Sequence, residues 1–358
     1  MEEREEKLKK IRSILDKAEK IEEQKEATLE TRSNESMTTW QDWYGQDYVP
    51  TDLSSQIITR ARNPQYFFGN LPAPINMTSA VFTIPVEGGD PTWYASSEQA
   101  NVTATEFTTS KAGTDDITLT AKKYTTNVYA SGELDEDSII NINQFLADKF
   151  AVSYTELLDK IWLNGDTETG ATGNINMDDE APTAWSYFLH QDWLIKKART
   201  NSKTLDCGTL DSTDFRALRA LLGIKGADPS KLIIMMDIAT YYKVLGLTQV
   251  ETIEKFGGSA TIVNGTLAAI DWIKVIPTNL MGLTEADGKI SFDTPANNVK
   301  GRIVLAHLPS MVHGFKRNLK IFTEYLPQYD QFRFTGHLRY AINVVGTDSV
   351  AYGYNVTV

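Results

Sequence analysis

Residues 127–166 read NVYASGELDEDSIININQFLADKFAVSYTELLDKIWLNGD, and this stretch decides the predicted fold. Alternating residues from Tyr124 to Tyr129 predict a strand, which an acidic turn follows. Apolar residues then recur at three- and four-residue spacing, which predicts an amphipathic helix. They are Ile142, Leu146, Phe150, Tyr154, Leu157 and Ile161. The sequence therefore predicts a strand, a turn and one long helix in immediate succession.

The two ends of this helix are also marked in the sequence. Asn141, with Gln144 three residues later, resembles a capping box, and Asn164-Gly165 supplies a left-handed stop. A helix from Ile142 to Leu163 would be about 33 Å long. An amphipathic helix alone is more typical of an ordinary core than of a particular function. Its interpretation therefore depends on the segments before and after it.

Length and charge limit the class of protein. The chain has 358 residues, 47 of them acidic and 35 basic, with a formal net charge of −12. This length predicts two or three lobes. Gripping nucleic acid needs clustered Lys and Arg, so the charge argues against that as the main role. The sequence contains no run of 18 apolar residues and no signal-peptide core, so we expect a soluble, unexported chain without a membrane partner.

Residues 1–36 are dense in charge and carry a short heptad seam. Its apolar positions are Leu8, Ile11, Leu15, Ala18 and Leu29. Such a helix can pair with a copy of itself or lie solvated, and the pattern leaves both possibilities open.

Residues 37–79 are instead rich in aromatic residues and proline, beginning with Trp40 and Trp43. Only Asp52 to Arg62 looks helical, with Asp52 as its N-cap. The segment is too apolar for a disordered tail and too interrupted for regular elements. We therefore expect an arm that lies against other surfaces.

A long polar excursion separates the first predicted strands. Phe82 to Val86 predicts one strand, and Asp115 to Tyr129 predicts one or two more. Between them, Glu87 to Gly113 contains little apolar sequence. Such a long excursion inside a compact domain is unusual unless the loop acts elsewhere. We therefore expect a projecting hairpin.

Helices and strands alternate in the second half of the chain, which predicts an α/β lobe at 181–299. The predicted helices are Thr183 to Arg199, Asp211 to Leu222 and Ala239 to Leu247, and the predicted strands are Lys231 to Met236 and Ile270 to Ile276. The last sixty residues contain IVLAHL, KIFTEYL, HLRYAINVV and VAYGYNVTV. These four segments predict an antiparallel sheet on which the long helix could pack.

Sequence patterns that would indicate a catalytic, phosphate-binding or metal-binding site are weak. GDTETGAT at 165–172 has the glycine spacing of a phosphate loop, but Ala171 stands where lysine is needed. The four histidines share no ligand spacing, and Asp178-Asp179-Glu180 lacks the spaced ligands of a calcium loop. The single cysteine, Cys207, excludes an internal disulfide and a CxxC pair. We expect no catalytic residue, no cofactor, no metal site and no enzyme activity.

One basic cluster, Lys196, Lys197 and Arg199, lies beside Trp193 on a predicted helix. It could touch nucleic acid, although a solvated helix face is the more common explanation of such a cluster.

The order of these segments resembles the major capsid protein of tailed bacteriophages, the Hong Kong 97 shell fold. The resemblance rests on IPVEGG…WYASSEQA, on ITLTAKKYTTNVYASGELDEDSIININQFLADKF and on LLDKIWLNGD. In that family a strand pair brackets an extended loop, a short acidic turn leads into a long spine helix, and an "aflnGdG"-like phrase ends it. Here Thr167 replaces the last glycine. KLIIMMDIATYYKVLGL, Gly257-Gly258 and TLAAIDWIKVIPTNLM resemble the family's axial domain, with a looser match at LAAIDWIKV, so the resemblance covers residues 50–358.

The resemblance implies an α+β fold in which a long spine helix lies on an antiparallel sheet. Its parts would be a scaffold-like charged helix at 1–36, an N-terminal arm at 37–79, an E-loop hairpin at 80–127, a peripheral domain at 128–180 and 300–358, and an axial α/β domain at 181–299.

The resemblance also implies a structural function. Copies of the chain would form pentamers and hexamers of an icosahedral capsid in the virion, assembled in the host bacterial cytoplasm around double-stranded DNA bound without sequence specificity. Scaffold, portal and decoration proteins are further candidate partners. Candidate contact residues between subunits are Trp93, Tyr94, Glu98, Trp40 and Trp43, although Trp93 and Tyr94 could instead pack locally inside the hairpin. The alternatives are an encapsulin-like nanocompartment shell and, from another class, an enzyme with an unrecognised site in residues 181–299.

Overall fold

The computed structural model describes Lys17, Lys20 and residues 66–95, 109–133, 142–247 and 269–358. The chain divides into two compact units, Met1–Thr59 and Arg60–Val358. In the first unit, Lys17 and Lys20 are helical and exposed. The rest of the predicted charged helix, the predicted Asp52 to Arg62 helix and the Gly257-Gly258 turn lie outside the described residues.

All of the elements named below belong to the second unit. The strands are β1 Ile75–Asn76, β2 Val81–Glu87, β3 Thr114–Thr120, β4 Lys122–Ser131, β5 Thr204–Asp206, β6 Leu232–Asp237, β7 Ala269–Ile270, β8 Ile273–Thr278, β9 Lys300–His307, β10 Met311–Leu326, β11 Gln331–Val344 and β12 Val350–Thr357. The helices are α1 Ile142–Asn164, α2 Leu194–Thr200, α3 Ser212–Leu221 and α4 Ile238–Leu245. The mixture confirms the predicted α+β class.

The strands form three sheets. One has the order β1, β10, β11, β4, the second has the order β5, β12, β9, β6, β8, β7, and the third is the β2–β3 hairpin. In the first sheet β10 and β11 run antiparallel from Met311 paired with Val344 to Leu326 paired with Gln331. β10 and β11 form a long hairpin. β4 pairs antiparallel with β11, on the side away from β10.

Helix α1 confirms the predicted helix to within one residue at its C-terminal end. Its last turns bury Leu158, Ile161 and Trp162 in a core shared with Leu338 and Tyr340 of β11. Nearer its start, Phe150 packs with Ala130 and Phe334. The helix therefore lies on the β4–β11 part of the first sheet, as the spine-helix prediction requires.

The predicted left-handed stop at Gly165 is wrong, because its φ is not positive. The Gly165 N–H continues the helical pattern by donating to Ile161 O at 3.2 Å. A Cβ at this position would lie 2.0 Å from Cδ1 of Trp193 and 2.5 Å from the carbonyl oxygen of Gln191. Glycine is needed here because another segment of the chain packs directly on the backbone.

The helix predicted from Thr183 to Arg199 is also wrong, since two shorter helices replace it. A 3-10 turn spans Tyr187–His190, and α2 begins only at Leu194. Between them Trp193 is extended, and its N–H donates to Gly165 O at 2.9 Å. Its indole packs on Trp162 with ring centroids 5.1 Å apart. Burial of this one side chain overrides the local helical pattern.

The prediction that the last four strands share one antiparallel sheet is wrong. β10 and β11 belong to the first sheet, whereas β9 and β12 belong to the six-stranded sheet. β11 alternates between buried and half-buried residues over most of its length, whereas six consecutive residues of β9 are buried. Strands covered on both faces show such continuous burial. β12 lies between β9 and β5, and α2 and α3 contact it.

The strand predicted from Ile270 to Ile276 is instead a hairpin of β7 and β8. Ile270 pairs with Ile273, so the loop consists of Asp271 and Trp272. Both loop residues have positive φ, 47° and 66° respectively. These values are those of a two-residue type I′ turn.

We expect Gly165→Ala to lower the free energy of unfolding by about 1–3 kcal/mol, because the added methyl group must displace Trp193 or backbone. Urea unfolding followed by circular dichroism measures this. Gly69→Ala is the matched control, since a Cβ at Gly69 meets nothing within 4 Å. Equal stability of the two variants would contradict the close-packing explanation.

Candidate assembly surfaces

The base of the β2–β3 hairpin is fixed to the rest of the second unit. The strands pair from Val81 with Thr120 to Glu87 with Thr114. At the base, Asn343 Nδ2 donates to Thr118 O at 2.9 Å and Gln191 Nε2 donates to Thr120 O at 2.6 Å. Leu119 between them is fully buried. The hairpin is therefore anchored at one end by its backbone and by one core side chain.

Beyond the strands the two backbones meet at Gly88, Gly89 and Gly113, a contact that we call the glycine crossing. The Gly88 N–H donates to Gly113 O at 3.1 Å, and the Gly113 N–H donates to Gly89 O at 2.7 Å. A Cβ at Gly88 would lie 2.6 Å from the carbonyl carbon of Gly113. Side chains are excluded from this crossing, so the backbones approach as closely as the hydrogen bonds allow.

The segment after the crossing exposes the aromatic residues that the sequence proposed as contacts. Trp93 is 94% exposed and Tyr94 is 51% exposed. Glu98, Trp40 and Trp43 lie outside the described residues. Contact between subunits through these five residues stays a prediction, but the surroundings of Trp93 fit it, because its indole is left almost without packing by the described part of the chain.

The chain approaches this hairpin through a segment that Asp159 of α1 holds in place. The carboxylate of Asp159 accepts hydrogen bonds from the Phe67 and Phe68 N–H groups, each at 2.8 Å. Phe67 itself is buried edge-on against Trp162, with ring centroids 5.7 Å apart. Burial raises the pKa of Asp159 to about 6, and the two backbone donors counteract part of that rise. Sequence patterns gave no sign of this anchor, because both donors are backbone groups.

A second buried contact fixes the same segment a few residues later. His313 Nε2 lies 2.7 Å from the carbonyl oxygen of Pro72, which can only accept, so Nε2 carries the proton. Nδ1 then accepts from the Tyr340 hydroxyl at 3.1 Å, and Tyr340 in turn accepts from Trp162 Nε1 at 2.9 Å. Burial lowers the pKa of His313. A lower pKa favours the neutral imidazole, in which the hydrogen bonds run in one direction, from Trp162 through Tyr340 and His313 to Pro72 O.

The end of α1 is held by a buried ion pair. Asp166 is fully buried, accepts from the Ile175 N–H at 2.8 Å and pairs with Lys196 Nζ at 2.9 Å. Arg199 donates to Asp287 O at 2.7 Å. Two members of the basic cluster thus stabilise loops of this chain. Residues 165–172 are also unsuited to bind phosphate because the carboxylate of Asp166 lies in this loop and would repel it.

Three acidic residues meet elsewhere on the second unit. The carboxylate oxygens of Asp178, Asp179 and Glu285 lie within 4.8 Å of one another. Lys289 Nζ pairs with Asp178 Oδ1 at 3.0 Å, and the Ser291 hydroxyl lies 3.2 Å from Asp179 Oδ2. Lys289 therefore offsets part of the negative charge of the cluster. These contacts join residues 178–179 to residues 285–291.

No helix within the described residues is long and apolar enough to cross a membrane.

Comparison with known proteins agrees with this architecture. The model of the phage capsid family matches residues 45–197. A curated relative, the major capsid protein of Escherichia phage T5, is 21% identical over 226 residues, which are 63% of this chain and 46% of the relative. The chain therefore spans about half the length of that relative.

Solved structures match over more of the chain. A chain from Microbacterium phage Oxtober96 has a TM-score of 0.62 at 13% identity, covering 90% of this chain and 99% of that one. The capsid of a native GTA particle has a TM-score of 0.62 at 15% identity, with coverages of 90% and 99%. A chain from Mycobacterium phage Ogopogo has a TM-score of 0.61 at 15% identity, with coverages of 89% and 99%.

We expect the Asp159 anchor to make stability depend on pH. A folded-state pKa of about 6, above the ordinary 3.8, means that the folded chain holds this proton more tightly than the unfolded chain. The stability of the wild type relative to Asp159→Asn should therefore fall as pH rises from about 4 to about 6, by up to about 3 kcal/mol. Urea unfolding of both chains at several pH values measures the difference. A difference that is constant with pH would rule out a titrating Asp159.

The resemblance inferred from the sequence is therefore confirmed. The chain matches the phage capsid family over residues 45–197, and it has the fold of phage capsid proteins over most of its length.

Proposed function

We propose that this chain is the major capsid subunit of a tailed double-stranded DNA bacteriophage. Copies of it assemble as pentamers and hexamers into an icosahedral shell that encloses the genome. The observation that carries the proposal is the β2–β3 hairpin, whose base is anchored by Asn343 and Gln191 while Trp93 beyond it is almost fully exposed. A neighbouring copy that covers this indole gains the burial energy that the isolated subunit lacks.

Repetition of modest contacts explains how such subunits form a stable shell. Identical head-to-tail contacts close into rings when the rotation between copies permits it. Each further contact then acts at a high effective concentration, so the whole is far more stable than one interface. In our assignment the arm at 37–79 and the E-loop at 80–127 reach neighbouring copies. The peripheral domain at 128–180 and 300–358 and the axial domain at 181–299 form the body of each subunit.

The remaining partners follow from charge and position along the sequence. The charged helix at 1–36 would act as a scaffolding segment during assembly in the host bacterial cytoplasm. Portal, decoration and separate scaffold proteins are further candidate partners. A chain with a net charge of −12 would let packaged DNA slide past without holding it.

The capsid function is favoured over the two alternatives. Relatives named above come from phages or from a GTA particle, and none is an encapsulin. The α/β region at 181–299 shows ion pairs that join its own residues, such as Lys289 with Asp287 and Arg219 with Asp271, and these pairs have a structural explanation. We therefore propose a structural and not a catalytic role.

Expression of the chain alone, followed by negative-stain electron microscopy and sedimentation, tests the proposal. We expect closed shells or rings of five and six subunits. A copurifying cargo enzyme inside the shells would favour a nanocompartment instead. Particles that remain single subunits under all conditions, including with added scaffold and portal proteins, would contradict a shell function.

We expect the outer part of the hairpin to be necessary for assembly and not for folding. Replacing residues 88–113 by Asn-Gly would close β2 and β3 with a two-residue turn and keep the pair of Glu87 with Thr114. This variant should unfold at the urea concentration of the wild type but form no shells. Shells of normal size from the shortened chain would remove the E-loop assignment.

A further inference from the structure

The turn between β7 and β8 contains the wrong residue for its conformation. A type I′ turn favours Asn-Gly or Asp-Gly, because both central residues need positive φ. Here the second position is Trp272, with φ 66°. A bulky residue in this region is disfavoured because its Cβ approaches the neighbouring carbonyl oxygen. Glycine would fit the backbone better, so the backbone alone does not explain the tryptophan.

Among the described residues, the side chain of Trp272 gains little packing in return. The residue is 90% exposed, although tryptophan is among the side chains that gain most from burial. Trp162 and Trp193, by contrast, are buried and pack on each other. Trp272 therefore combines a disfavoured backbone conformation with an exposed indole. Residues that break a local rule in this way are found at functional sites.

Ion pairs of Asp271 connect the turn to α3. Asp271 lies 3.8 Å from Arg216 Nε and 3.9 Å from Arg219 Nη1 of α3. Arg219 is itself fixed, because it donates to Gly226 O at 3.1 and 3.2 Å. β7 is the last strand of the six-stranded sheet. The hairpin thus projects an exposed aromatic side chain from the edge of that sheet, next to α3.

We propose that Trp272 is a contact residue that inserts into an apolar surface of a second copy of this chain. Two observations favour a second copy as the partner. The arginines beside the turn, Arg216 and Arg219, form a basic rim, and a chain with a net charge of −12 offers predominantly acidic surroundings for it. A subunit with a capsid fold also meets many copies of itself. The inference rests on the proposed shell function, and it adds a contact through the β7–β8 turn to the one through the E-loop.

Trp272→Gly separates a docking role from a structural one. Glycine adopts positive φ readily, so the melting temperature of the unassembled subunit should equal or exceed that of the wild type. The critical subunit concentration for assembly, measured by sedimentation, should rise by about tenfold or more, because exposed aromatic anchors dominate interfaces and each copy loses one. Trp272→Phe, which keeps an aromatic ring, should assemble at a concentration between the two.

Ser202→Gly is the matched control. Ser202 is also an exposed turn residue with positive φ, 55°, so the backbone change is the same but no aromatic ring is lost. This control should assemble as the wild type does.

Two results would overturn the inference while leaving the shell function intact. One is assembly of Trp272→Gly at the wild-type concentration. The other is a lower melting temperature of its unassembled subunit, which would mean that the indole packs within its own chain. A wild-type chain that never assembles would instead contradict the proposed shell function, and the inference that rests on it would fall as well.

Discussion

Trp162 is the residue on which the arrangement of the second unit depends. Its indole is fully buried, donates to Tyr340 of β11 and packs on Phe67 of the incoming segment and on Trp193 before α2. The first sheet, the segment around Phe67 and the segment around Trp193 therefore meet at one side chain near the end of α1. Large side chains in such positions tolerate few substitutions, because protein interiors are packed as densely as crystals. The ends of α1 and α2 are placed relative to each other by this contact.

Sequence reasoning succeeded where one element carries its own signal. The period of apolar residues predicted α1, the Asn164-Gly165 pair placed its end within one residue, and alternation predicted β2 and strand structure in the region of β3 and β4. Sequence reasoning failed where residues far apart in the chain determine the local conformation. The glycine at position 165 was assigned to a left-handed stop, but the ring of Trp193 requires it. No local pattern shows which side chain arrives from 28 positions further along.

The candidate contact residues show the same limit. Trp93 and Tyr94 could be selected from sequence because they lie in a polar excursion where aromatic residues have no core to join. Trp272 was missed because AIDWIKV resembles one continuous strand. The sequence carries no signal for this turn, since two-residue turns are marked by pairs such as Asp-Gly and not by Asp-Trp. Only the pairing of Ile270 with Ile273 reveals it. The division of the last four strands between two sheets was equally hidden, because pairing partners lie far apart in the chain.

That division sets when the subunit can fold. β12 is an interior strand that joins β5 to β9, so this sheet remains in two pieces until residue 357 has been synthesised. One piece is β5 alone, at Thr204–Asp206, and the other consists of β9, β6, β8 and β7. Long-range pairing of this kind makes folding slow and leaves strand edges exposed meanwhile. A chain released early by the ribosome lacks the strand that closes the sheet. Without β12, β5 has no strand through which it joins β9 and the rest of the sheet.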